Sequence, residues 1–132
     1  MDKRWKSSHN VKYNLGYHLI WCPKYRRDVL KDDVADRLEK LLKEKAKEIE
    51  IEIIELSIMP DHIHLFINAK PVDSPHFIVQ QLKGYTSRIL RQEFPQLRSR
   101  IPTLWTRSYY VESVGHISAD TIQKYIQEQK GV

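Results

Sequence analysis

The sequence predicts an α+β fold, a ferredoxin-like split βαββαβ sandwich with one further helix appended at its C-terminal end. Three observations carry that reading. Short apolar, β-favouring runs are interspersed with two long segments whose apolar positions recur at helical spacing. Their order along the chain is strand, helix, strand, strand, helix, strand, which suits an antiparallel four-stranded sheet with two helices on one face. The 132 residues include only four glycines and six prolines, so one domain with a single modest core is expected and no long linker.

Residues 1–10 are polar and basic and are expected to form a mobile arm. Over residues 11–25 aromatic and aliphatic side chains alternate with polar ones until Pro23 closes the run, which predicts a first strand. Asp32 and Asp33 then place negative charge where it complements the positive end of a helix dipole. Val34, Leu38, Leu41, Leu42, Ala46 and Ile49 follow at helical spacing, so the helix packs on a sheet. Residues 51–58 alternate again and predict a strand buried on at least one face. Met59, Pro60 and Asp61 form a short turn into the next strand, residues 62–67. Ser74 with Pro75 behind it is an N-cap followed by proline at the first helical position. The helix it starts turns Ile78, Leu82, Tyr85, Ile89 and Phe94 inward and Lys83, Arg88 and Arg91 outward, and ends at Pro95. Residues 96–104 are expected to be irregular and 105–114 a strand. Gly115 breaks that strand, and Ser118 caps a last helix over 118–130. In such a fold the first and third strands are central neighbours, and the last helix is free to cover the sheet's other face.

Lys and Arg number 22 against 17 Asp and Glu, a formal net charge of +5, with a pI of about 9.3. That balance suggests a polyanionic partner, nucleic acid before membrane, and a polar arm able to face DNA. No run approaches the length needed to span a bilayer. The single Cys22 cannot form an internal disulfide, and residues 1–4 lead into no signal-like apolar segment, so a reducing cytoplasm is expected.

The chemistry centres on His62 and His64. Two residues apart on a strand they share one face, while Ile63, Leu65 and Ile67 pack on the other. Paired neutral imidazoles on a stiff support are a metal-ligand arrangement; taken alone they are also ordinary strand histidines. Tyr125 and Gln129 lie four apart on the last helix, with Ile122 and Ile126 to pack it down. Near a cation a phenol can act as nucleophile and an amide oxygen as a third ligand. Taken alone, each is an ordinary helix residue.

The run from Tyr17 to Arg26, the Met59-Pro60-Asp61-His62-Ile63-His64 turn and strand, the Ser87-Arg88 pair and the Tyr125-to-Gln129 spacing together resemble the single-tyrosine transposases of the IS200/IS605 insertion sequences, which are HUH endonucleases. The resemblance covers nearly the whole chain. It implies a transposase that cleaves and rejoins single-stranded DNA at hairpin-marked element ends, with Tyr125 forming a 5′-phosphotyrosine. His62, His64 and Gln129 would hold a divalent metal, Mg²⁺ or Mn²⁺. It implies a homodimer in which the tyrosine helix can complete the partner's site, with residues 115–117 as the place of exchange. Basic residues that would then contact DNA phosphates are Lys24, Arg26, Arg27, Lys83, Arg88 and Arg91, beside Tyr25, Trp105 or Tyr109 as stacking candidates. His18, His76 and His116 read as structural or incidental. Two other classes compete: a non-enzymatic ferredoxin-like nucleic-acid-binding module, and a hydrolytic nuclease in which metal-bound water attacks.

Overall fold

The computed structural model describes residues 6–8, 11–99 and 101–114. The helix expected over 118–130, with Tyr125 and Gln129, lies outside the described residues, as do His9 and His116. In chain order the elements are β1 (Lys6–Ser8), β2 (Val11–Tyr13), β3 (Leu15–Trp21), a 3₁₀ turn (Lys24–Arg26), α1 (Asp32–Glu48), β4 (Glu52–Met59), β5 (His62–Ala69), α2 (Pro75–Glu93), α3 (Gln96–Ser99) and β6 (Tyr110–Val114). Four strands form one antiparallel sheet in the order β4-β5-β3-β6. The first and third of those four, β3 and β5, are therefore neighbours in the middle.

Four features differ from expectation. Part of the supposed arm is a strand, since β1 pairs antiparallel with β2 as a separate two-stranded sheet. The single first strand is two, divided at Asn14, and pairing with the main sheet starts only at Leu15, opposite Ala69. The last strand is short: Trp105 makes only an isolated bridge to Pro23. Lys83 Nζ donates to the carbonyls of Thr106 at 2.5 Å and Ser108 at 3.4 Å, so those carbonyls are taken by a side chain before the ladder begins at Tyr110. Residues 96–99 are a helical turn that buries Leu97.

Burial follows the alternation of the central strands. Leu19, Trp21, Ile63, Leu65 and Ile67 face α1 and α2 and form the main core with Val34, Leu38, Leu41, Leu42, Ile78, Val79, Leu82 and Leu90. Ser74 caps α2 through its hydroxyl, which accepts from Phe77 N–H at 3.0 Å. The N–H groups of Glu50 and Ile51 close α1 on Lys47 and Ala46 carbonyls, with Glu50 at φ 60° where glycine is the usual residue. In β4 the pairing with β5 shifts between Ile53 and Glu55. That bulge puts Ile53, three residues before Leu56, on the helix-facing side with it, and leaves Ile54 against Phe66 on the opposite face. The uniform alternation expected for this strand is broken by one inserted residue. Among the described residues no helix is long and apolar enough to cross a membrane.

On that opposite face the close approach of β3 and β6 requires a glycine. A Cβ on Gly16 would lie 2.9 Å from both Val114 Cγ2 and the Val114 carbonyl oxygen. Gly16→Ala is expected to destabilise the fold by about 1–3 kcal/mol, as overpacking does. Urea denaturation checks this, and an unchanged midpoint would refute the contact.

Candidate functional site

His62 and His64 stand on the face of β5 away from the helices, as the two-residue spacing requires, with ring centroids 4.8 Å apart and planes at 77°. The turn that enters β5 orients the first of them. Asp61 Oδ1 accepts from His62 Nδ1 at 2.7 Å, and Arg26 Nη2 donates to Asp61 Oδ2 at 3.0 Å. The hydrogen bond with His62 is the largest influence on the Asp61 carboxyl and holds it below its usual range; burial pushes the other way, and the charge of His62 and the hydrogen bond and charge of Arg26 add to the lowering. An ionised Asp61 keeps the His62 proton on Nδ1, so Nε2 is the nitrogen with a lone pair.

The second imidazole has a neighbour that the sequence reading set aside. His18 comes from β3 and is fully buried, and its Nε2 lies 3.3 Å from His64 Nδ1. The register makes them diagonal neighbours, because His18 is opposite Phe66 and Ile20 is opposite His64. Phe66 stacks on the His18 ring at 4.5 Å and 6°, and Tyr110 meets it edge-on at 6.0 Å. Burial lowers the His18 pKa, opposed by the charge of Glu112, its cross-strand partner on β6. Among the described residues no three His, Cys, Asp or Glu side chains group as a cation site. The pair thus offers two nitrogen donors, which suits a cation completed by oxygen ligands.

The predicted basic residues divide. Lys24 lies over the Tyr25 ring at 5.5 Å, and Tyr25 is 66% exposed. Tyr25 and Arg26 both adopt left-handed backbone angles, φ 61° and 50°, a conformation that costs about 1–2 kcal/mol per residue. It coincides with the outward Tyr25 ring and the Arg26 reach to Asp61. Arg26 and Arg27 border a surface cleft with Gln96 and Ser99. Lys24, Lys83 and Arg107 border another groove, and Arg107 is a cation that the sequence reading missed. Two residues expected to point outward do not: Lys83 is half-buried on its carbonyls, and Arg91 Nη1 donates to the Leu97 and Ile101 carbonyls at 3.3 and 3.0 Å. Both are cations whose side chains turn back onto main-chain carbonyls. Arg88 is exposed, over the Tyr85 ring at 5.8 Å. Of the aromatic candidates Trp105 is core, its indole N–H donating to Thr86 Oγ1 at 3.0 Å, and Tyr109 meets His76 Nδ1 at 2.9 Å. Tyr25 is left as the exposed ring.

A basic α+β domain that mounts paired, oriented imidazoles on its central strand, beside cations and an exposed aromatic, has the build of a nucleic-acid enzyme. The family described as "Transposase IS200 like" matches residues 11–129, and the chain belongs to it. It is 39% identical over 126 residues to the ISDra2 transposase TnpA of Deinococcus radiodurans, spanning 94% of this chain and 90% of that one. It is 31% identical to the transposase for insertion sequence element IS200 of Salmonella typhimurium, over 94% of this chain and 82% of the relative. A crystal structure of a transposase from Deinococcus radiodurans R1 superposes with a TM-score of 0.77 at 38% identity, covering 94% and 97% of the two chains. A REP-associated tyrosine transposase bound to a REP hairpin shares the fold, with a TM-score of 0.64 at 14% identity, over 95% of this chain and 74% of that one.

Proposed function

We propose that this transposase cleaves and rejoins single-stranded DNA at hairpin-marked ends, with Tyr125 as nucleophile and His62, His64 and Gln129 as ligands of a divalent cation, Mg²⁺ or Mn²⁺. The observation that carries this reading is the imidazole pair on β5, each ring held through Nδ1 by a different neighbour. When bound there, the cation would withdraw charge from the scissile phosphate. The Tyr125 phenolate attacks phosphorus, forming the tyrosine O–P bond as the bond to the 3′ oxygen breaks. The phenol proton leaves to solvent, and the departing 3′ oxygen takes one up as a hydroxyl. Attack by a 3′-hydroxyl on the 5′-phosphotyrosine reverses the exchange, so joining consumes no nucleotide. The strand order supports a split ferredoxin-like reading, with the helix over 118–130 appended to bring Tyr125 to the histidine face.

Substrate binding falls to the cations near that end of the sheet. Lys24, Arg26, Arg27 and Arg107 are positioned for phosphates, and Arg88 adds charge on α2, with smaller parts for Lys83 and Arg91. Tyr25 offers its face to an unpaired base. A hairpin is also what the REP-associated tyrosine transposase of the same fold is bound to.

The test is incubation with end-labelled single-stranded DNA, carrying the element's own hairpins, and Mn²⁺. A denaturation-resistant protein–DNA adduct is expected. Cleavage without adduct would mean a hydrolytic nuclease, and binding alone a non-catalytic module. The homodimer is proposed with sites shared between subunits. Mixing Tyr125→Phe with His64→Ala chains should then restore cleavage, whereas sites confined to one chain would leave the mixture inactive.

A further inference from the structure

We infer that His18 is a positioning residue for His64: its Nε2 accepts the Nδ1 proton of His64 and so fixes the tautomer that leaves the lone pair on His64 Nε2. The inference rests on the reading of His64 as a metal ligand.

The contact between His18 Nε2 and His64 Nδ1, 3.3 Å, joins two buried rings from adjacent central strands. One proton lies between the two nitrogens, and its owner decides what His64 can do. If His18 donated, a neutral His64 would carry its own proton on Nε2 and have no lone pair except the one already engaged. If His64 donates, Nε2 is free of a proton and competent to bind a cation. Only the second arrangement is compatible with a ligand role. His62 follows the same rule, since its Nδ1 is tied to Asp61 Oδ1 at 2.7 Å. Both imidazoles therefore have Nδ1 held by another side chain, one from the preceding turn and one from the neighbouring strand.

His18 is built to hold still. It is 0% exposed, and the Phe66 ring lies flat against it at 4.5 Å. A core-filling role would predict that phenylalanine serves as well, because its ring can stack on Phe66 in the same place. A positioning role predicts that phenylalanine fails and glutamine, whose amide oxygen reaches about as far as the imidazole Nε2, succeeds.

The test compares the wild-type chain with His18→Phe and His18→Gln. In the metal-free proteins, ¹⁵N-detected histidine NMR reads the His64 tautomer, with the His64 signals identified by their loss in His64→Ala. Electron paramagnetic resonance reads Mn²⁺ affinity, and circular dichroism reads folding. We expect the Nδ1–H tautomer in the wild type, Mn²⁺ binding weakened about 10- to 100-fold in His18→Phe, and most of that loss recovered in His18→Gln. A wild-type His64 protonated on Nε2, or unaltered Mn²⁺ affinity in His18→Phe, would overturn the inference. If His18→Phe does not fold, the wild-type tautomer and its retention in His18→Gln decide the matter. An Nδ1–H tautomer in a protein that binds no Mn²⁺ would uphold the hold of His18 on His64 and refute the metal reading alone.

Discussion

Tyr125→Phe is expected to lower strand cleavage by about 10⁴-fold or more while leaving hairpin binding near the wild-type level. Phenylalanine removes one oxygen and keeps the ring, so under the proposed function only the attacking group is lost. In enzymes that form a covalent intermediate, deleting the attacking atom costs on the order of 10⁴- to 10⁶-fold, because the remaining groups have no bond to make. The measurement is adduct formation in the presence of Mn²⁺, paired with a gel-shift titration of the same DNA. A variant that still forms a denaturation-resistant adduct would show that another side chain attacks. A variant that makes free product at the wild-type rate would assign the attack to water.

Leu65→Ala is expected to be a strongly damaging truncation of the sheet, lowering unfolding free energy by about 3 kcal/mol. Leu65 is 0% exposed in the middle of β5, opposite Leu19 on one side and Leu56 on the other, and it faces the two helices. Neighbours on both flanking strands are fixed by ladder hydrogen bonds, so the cavity cannot collapse and the lost contacts are not regained. With total stability of about 5–15 kcal/mol for a domain of ordinary size, this is a large share. At a urea slope of about 1–3 kcal/mol per molar the midpoint should fall by about 1–3 M. An equal loss from truncating the half-buried Ile58, near the end of the edge strand β4, would argue against a core centred on β5. The same strand carries His62 and His64 on its other face, so the rigidity of the site and the stability of the core have one source.

Much of this was legible in the sequence because it depends on neighbours along the chain. Side chains two apart on a strand share a face, so His62 and His64 could be paired from spacing alone, with Ile63, Leu65 and Ile67 assigned to the core. Ser74 and Pro75 marked the start of α2 through a local hydrogen bond, and the period of Val34, Leu38, Leu41 and Leu42 marked the buried side of α1. The tyrosine and glutamine of the last helix were also read this way, and they lie outside the described residues. What spacing could not supply was partnership at a distance. His18 and His64 are 46 residues apart and meet only because β3 and β5 pair in one particular register. The alternation of β3 does put His18 on the polar side, but it names no neighbour there. The same limit concealed the bulge of β4, the turn of Lys83 and Arg91 onto carbonyls, and the choice of Tyr25 over Trp105 as the exposed ring. The sequence by itself determined the two long helices, the faces of the central strands and the imidazole pair, because backbone periodicity is fixed within a few residues. Only the tertiary structure decided which side chains hold that pair and which cations remain exposed, because register, bulges and side-chain contacts to carbonyls arise when distant segments come together.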